Sequence, residues 1–231
     1  MANITDKTRT ARMALAMAEQ AAKKIAETKA ALKKPLAKIE IIAIGSSTGG
    51  TEALSVVLPA LRPPLPPIFV VQHIPAGFSK MFAERMNTQC QLRAKEASDG
   101  EVAKPNWIYI APGELHMSIS RIGDIIKINC HNGPRLHSCR PAVDVLFRSV
   151  ARQYKDGSAL GVILTGIGRD GTQGLLEMKQ GGATTIGQDE ATSVVYGMPK
   201  SAFEAGAVDK QLPLSAIAGA IMNRVKGRDF R

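Results

Sequence analysis

Aromatic residues are scarce in this 231-residue chain: one Trp, three Tyr and six Phe make up 4% of it. Nucleic-acid readers set such rings beside clustered basic residues in a recognisable motif. Neither the rings nor a motif is found here, so nucleic acid is not an expected partner. Cysteine is equally thin. Cys90, Cys130 and Cys139 are too few and odd in number for a disulfide framework, which fits a reducing cytoplasm. No unbroken apolar run reaches about 18 residues, so the chain is not expected to be membrane-embedded. The opening MANITDKTRT has no apolar stretch after its basic start, and a secretory signal is not expected. Together these absences predict a cytoplasmic globular protein.

What is present is a 45% hydrophobic content, enough for the core of one substantial domain. The formal net charge is +10, and residues 1–40 hold nine Lys/Arg against four Asp/Glu, an excess of five. Half of the surplus therefore sits in a short leader. Without a nucleic-acid motif, a basic surface of this kind suits electrostatic steering towards an acidic protein. The leader is rich in Ala, Lys and Glu, good helix formers, and meets a stop signal at Pro35. Its apolar face is mostly alanine with Ile25, Leu32 and Leu36, so it reads as a solvated helical linker or as a docking helix. The expected organisation is a basic helical leader over 1–38, one domain over 39–227 and a tail of 228–231.

From Lys38 onward, strand and helix patterns alternate. KIEIIAIG, PIFVVQH, WIYIAP, SALGVILTG and ATTIGQD read as strands. TEALSVVLPAL, SKMFAERMNTQC, PAVDVLFRSVARQYK, TQGLLEMKQ, PKSAFEAG and LSAIAGAIMNRVKG read as helices. In MSISRIGDIIKINC, Gly123-Asp124 between two alternating runs predicts a tight hairpin. The alternation predicts an α/β fold: a three-layer α/β/α, mainly parallel doubly wound, Rossmann-like sheet with a β-hairpin insertion.

The first strand runs into IGSSTGG, where an apolar run meets a glycine-flanked pair of serines. A phosphate-cradling loop needs Gly-Lys after its four spacer residues, and no lysine is near Gly49 or Gly50. A dinucleotide fingerprint needs G-x-G-x-x-G, which this spacing does not match. Gly45-Ser46-Ser47-Thr48-Gly49 does match G-x-S-x-G. Small residues there permit a sharp strand-to-helix turn that exposes the central hydroxyl, and the following helix offers N–H groups to an oxyanion. Ser47 is then the candidate nucleophile and Ser46 part of the bend. A tight turn without chemistry fits the motif alone about as well.

A nucleophilic serine needs a base, and the base an orienting acid. Of His73, His116, His131 and His137, only His73 closes a strand, where a parallel sheet gathers its ligand-binding edge. The other three read as surface or packing residues. SALGVILTG runs into Gly166-Ile167-Gly168-Arg169-Asp170-Gly171, whose one carboxylate is Asp170. That residue is the acid, a cap for the helix beginning near Thr172, or both at once. Asp189 and Glu190 compete with it, and Asp144 belongs to the first turn of a helix. Cys130-His131 and His137-Ser138-Cys139 resemble zinc ligands but lack C-x-x-C spacing, and neighbours in an extended strand point to opposite faces. The run Arg62-Pro63-Pro64-Leu65-Pro66-Pro67 reads as a stiff loop. No metal or organic cofactor is expected.

Taken in order, IGSSTGG, VVQHIPAGFSKMFAERMN, YIAPGELHM, CRPAVDVLFRSVA, LTGIGRDG and VYGMPKSAFEAGAVDKQLPL resemble the chemotaxis methylesterase (CheB) family. The likeness runs from about Ile41 to the last helix. It implies that 39–227 is a catalytic domain hydrolysing glutamyl γ-methyl esters on methylated chemoreceptor cytoplasmic domains, and in some relatives deamidating receptor glutamines. It places the nucleophile on Ser47, the base on His73 and the acid on Asp170, with Thr48 as an active-site neighbour. Where the family usually has Met in TGMG, with its backbone N–H at the oxyanion site, this chain has Ile167. Cys139 stands where many relatives have His, outside the triad. Family members commonly carry an N-terminal receiver domain, for which about 38 residues are too few. Control by a separate regulatory protein, or activity without a receiver, is therefore expected. The alternatives are a catalytically silent receptor-docking or scaffold module of the same fold, and a serine esterase for small esters.

Overall fold

The computed structural model describes residues 36–228. The expected leader helix lies outside the described residues. Within them, a seven-stranded sheet has the order β3-β4-β2-β1-β7-β8-β9, and every neighbouring pair is parallel. The strands are β1 (Ile41–Ser46), β2 (Ile68–Gln72), β3 (Arg93–Glu96), β4 (Trp107–Ile110), β7 (Ala159–Ile163), β8 (Thr184–Gln188) and β9 (Lys210–Leu212). The helices are α1 (Gly50–Ala60), α2 (Phe78–Gln89), α3 (Val143–Gln153), α4 (Thr172–Gln180), α5 (Met198–Glu204) and α6 (Leu214–Val225).

The central strands are covered on both faces, which explains their unbroken apolar runs: all residues of β1, β2 and β7 are buried. Alternation then assigns each residue to a layer. Ile41 and Ala43 of β1 pack with Val143, Leu146 and Phe147 of α3 and Leu175 of α4. Ile42 and Ile44 pack with Leu54 and Val57 of α1, Met86 of α2 and Ile217 of α6. Each fully buried Ile or Leu contributes roughly 1.5–3 kcal/mol, so both cores clamp the middle of the sheet. The three-layer α/β/α architecture expected from the sequence is the one observed.

The hairpin also forms as expected. β5 (His116–Ile122) pairs antiparallel with β6 (Ile125–His131) around Gly123, whose φ is +60°. Met117, Ile119, Ile126 and Ile128 of the hairpin bury themselves in the α3 and α4 layer. Ser149 of α3 accepts the Ile119 N–H at 3.0 Å, fixing the hairpin to that helix.

Two edge strands were not expected. β3 reads Arg-Ala-Lys-Glu and β9 Lys-Gln-Leu, and neither has an apolar run or a clear alternation. Each is held by its pairing to one neighbour, β4 or β8. No described helix is long and apolar enough to cross a membrane.

Candidate active site

β1 has β2 on one side and β7 on the other, so the crevice beyond their C-terminal ends is the point where the strand order reverses. The turn leaving β1 is sharp. Gly49 takes φ +77°, a left-handed conformation costly for residues with a Cβ, and α1 begins at Gly50. The two serines separate as the motif suggested. Ser46 is fully buried and its hydroxyl donates to Gln72 Oε1 at 2.6 Å. Ser47 lies one step beyond the strand and is only half-buried. Its N–H donates to Thr165 O at 3.0 Å, across the gap to the end of β7.

His73 follows the last residue of β2, and its N–H donates to Ser46 O at 3.1 Å. The ring bridges the other two candidates: Nδ1 is 3.1 Å from Ser47 Oγ, and Nε2 is 2.8 Å from Asp170 Oδ2. An ionised carboxylate only accepts, so Nε2 carries the proton and Nδ1 is free to accept from the serine. The ring is turned the other way from the usual serine-hydrolase triad, where Nδ1 faces the acid.

Asp170 is 2% exposed and fully engaged. Besides His73, it accepts the Val143 N–H at 2.7 Å and the Asp144 N–H at 2.9 Å. These belong to the first turn of α3, whose N-cap, Ala142, offers no side-chain acceptor. Asp170 therefore caps α3 from a distant loop, and not the helix beginning at Thr172, whose N-cap is Gly171. Burial pushes its pKa upward, but the hydrogen bonds from His73, Asp144 and Val143 and the charge of His73 outweigh this. The net result lies below the ordinary 3.8. Of the competing acids, Asp189 is occupied in its own turn, accepting the Thr192 N–H and hydroxyl.

Thr48 is exposed at the turn, and Ile167 projects into solvent at 63% exposure in the loop after β7. Between them Gly166 fits against Ser47: a Cβ there would lie 2.7 Å from Ser47 Cβ and 2.4 Å from Met198 Sδ. The close approach of the two loops needs a glycine.

The reading of the sequence missed a set of buried polar braces. Gln72, 4% exposed, donates through Nε2 to Ser47 O at 2.9 Å and to His73 O at 3.1 Å. Gln188 Oε1 accepts the Thr165 N–H at 2.9 Å, and the Thr165 hydroxyl donates to Thr48 O at 3.0 Å. The available signal was a polar residue closing an apolar strand, in VVQ, LT and IGQ. The other histidines sort as expected, with one addition. His116 is buried between Pro134 O and the Ala142 N–H, and His131 is exposed. His137 joins the edge of the site, its Nε2 3.0 Å from Asp144 Oδ2. Cys139 lies beside His73, with Sγ 3.4 Å from Nδ1. Burial and the nearby Asp170 charge raise its pKa, against an opposing pull from Arg135.

A parallel α/β sheet carrying Ser, His and Asp in hydrogen-bonded sequence at its switch point has the architecture of a serine hydrolase. More specifically, the chain belongs to the CheB methylesterase family, whose pattern matches residues 42–221. A protein from Bdellovibrio bacteriovorus named protein-glutamate methylesterase/protein-glutamine glutaminase is 48% identical over 190 residues, covering 82% of this chain and 53% of that protein. A Syntrophus aciditrophicus protein of the same name, numbered 2, is 53% identical over 186 residues, covering 80% and 54%. The crystal structure of the Thermotoga maritima CheB methylesterase catalytic domain superposes with a TM-score of 0.78 at 40% identity, covering 81% of this chain and 99% of that one. The chain spans about half the length of the curated relatives it matches first.

Proposed function

We propose that this protein hydrolyses glutamyl γ-methyl esters on chemoreceptor cytoplasmic domains, giving glutamate and methanol, through Ser47, His73 and Asp170. The observation that carries the proposal is the unbroken path from Ser47 Oγ to His73 Nδ1 at 3.1 Å and from His73 Nε2 to Asp170 at 2.8 Å. The names of the relatives support a methyl ester of protein glutamate as the substrate and protein glutamine as a second one, deamidated at the same acyl centre.

In the reaction, Ser47 Oγ attacks the ester carbonyl carbon while its proton passes to His73 Nδ1. Stabilisation of the oxyanion is assigned to backbone N–H groups of the turn at Thr48 and of the loop at Ile167. The Ser47 N–H is excluded from this role because it is spent on Thr165 O. Asp170 stays ionised and holds the imidazolium by its Nε2–H. The tetrahedral intermediate collapses as Nδ1 returns the proton to the leaving methoxide, and methanol departs. Water then attacks the glutamyl-serine ester, giving its proton to Nδ1, and a second collapse frees glutamate and restores Ser47. For a glutamine side chain the leaving group is ammonia.

The test is methanol release from methylated receptor. Ser47→Ala is expected to abolish it, while Ser46→Ala, which alters only the buried bond to Gln72, keeps most of it. Full activity in Ser47→Ala overturns the assignment. Hydrolysis confined to small free esters would instead identify a general esterase.

A further inference from the structure

The side of His73 that faces Ser47 also faces a thiol. Cys139 Sγ and Ser47 Oγ lie 3.4 Å and 3.1 Å from the same nitrogen, Nδ1, while Asp170 holds the other nitrogen at 2.8 Å. His73, Cys139 and Asp170 each bring one ligand-type atom within 4.8 Å of the other two. A histidine whose far N–H donates to a carboxylate presents its other nitrogen as a fixed, basic lone pair, the arrangement that orients histidines on zinc. Zinc holds imidazole nitrogen at about 2.0–2.1 Å and thiolate at about 2.3 Å. In a tetrahedron, two such ligands sit roughly 3.5 Å apart. The Nδ1–Sγ separation already has that length.

We propose that His73 Nδ1 and Cys139 Sγ form a binding site for Zn2+, with Asp170 as the carboxylate behind the imidazole and Ser47 Oγ beside the open coordination positions. Zinc there occupies the lone pair that would take the serine's proton, so it inhibits the hydrolysis, a consequence that rests on the function proposed above. On binding, the ion exchanges two of its waters for nitrogen and sulfur, and the Cys139 thiol proton passes to solvent. No electron is transferred. With only two strong protein ligands the ion is reversibly bound, and it acts as an inhibitor.

The other candidate grouping among the described residues, His137, Asp144 and Asp170, is less available. Asp144 accepts from Gly174 N–H and His137, and Asp170 from three donors, so their oxygens are already committed. Thiolate and imidazole also match the preference of zinc better than two carboxylates do. The zinc set suggested by Cys130-His131 is not assembled: Cys130 lies in the hairpin, paired with Met117, and His131 is exposed.

The experiment titrates the full chain with Zn2+ by calorimetry, and with Co2+ while recording the thiolate-to-metal absorption band. One Zn2+ per chain is expected, with affinity lowered about tenfold or more in Cys139→Ser and in His73→Gln. The Co2+ band should appear in the unaltered chain and in Ser47→Ala, and vanish in Cys139→Ser. Zinc should inhibit methanol release reversibly by chelator, and whatever methanol release Cys139→Ser retains should be insensitive to zinc. Unchanged Zn2+ affinity in Cys139→Ser, or no Co2+ band, overturns the site. Tight Cys139-dependent binding without inhibition overturns the inhibitory role. Because the metal titrations include the Ser47→Ala chain, they decide the site even if no hydrolysis is found.

Discussion

Gln72 illustrates how a residue outside the proposed triad sets the geometry of two residues within it. It accepts the Ser46 hydroxyl and donates to the carbonyls of Ser47 and His73, so a single buried amide joins the ends of β1 and β2. Gln72→Ala strands these partners in a site with little access to water, at about 1–3 kcal/mol for each unsatisfied group. The expected result is a loss of a few kcal/mol in urea unfolding and a fall in kcat larger than any rise in KM. The loss in kcat follows because the spacing of Ser47 and His73 is no longer fixed. A variant that is destabilised but keeps its kcat would reduce Gln72 to a structural residue. Such a role was hard to read beforehand. The G-x-S-x-G spacing distinguished Ser47 from Ser46, and strand-end logic picked out His73, because both depend on local sequence. Gln72 matters through the register that sets it opposite Ser46, and Cys139 through a fold that brings it to a ring 66 positions earlier.

Among the elements, α3 and the loop after β7 are mutually dependent. The loop supplies the acceptor that the N-terminus of α3 lacks, and the helix supplies two N–H donors that keep Asp170 ionised. The sequence allowed Asp170 to be acid and cap at once, and the geometry gives it both the His73 contact and a cap, on a different helix from the one expected. Because its folded pKa is depressed, Asp170 contributes stability that is fully present above its unfolded value near 3.8. That contribution is lost as pH falls through the folded value. Asp170→Asn is therefore expected to cost about 2 kcal/mol at neutral pH, and its deficit against the unaltered chain should shrink below about pH 4. Unfolding curves from pH 3 to 7 measure this, and a deficit independent of pH would contradict it. Methanol release should fall on the order of ten-thousand-fold in the same variant, since asparagine favours the wrong imidazole tautomer. Legibility followed burial at this scale. The central strands and the hairpin were plain because two covered faces or strict alternation stamp a pattern on the sequence. β3 and β9 were not, since Arg-Ala-Lys-Glu and Lys-Gln-Leu are strands only by virtue of the neighbours they pair with.

At the scale of the whole molecule, the property with the longest reach is charge. A net +10 on 231 residues gives a field that extends about 8–10 Å into physiological saline, further than any single contact at the active site. For a neutral small ester that field is irrelevant to encounter. For a receptor segment carrying clustered glutamates, the substrate class proposed here, it raises the association rate, and added salt removes the gain. The expected outcome is a kcat/KM for methylated receptor that falls about tenfold or more between 50 and 300 mM salt. Most of the change should lie in KM, and hydrolysis of a small uncharged ester should stay nearly flat over the same range. The comparison also separates two sources of the effect. If salt acted by loosening the Ser47–His73–Asp170 path, both substrates would slow together and kcat would change. If it acts on encounter, only the receptor reaction responds. Equal salt dependence for the two substrates would remove charge steering from the mechanism and leave recognition to the rim of the crevice around Thr48 and Ile167.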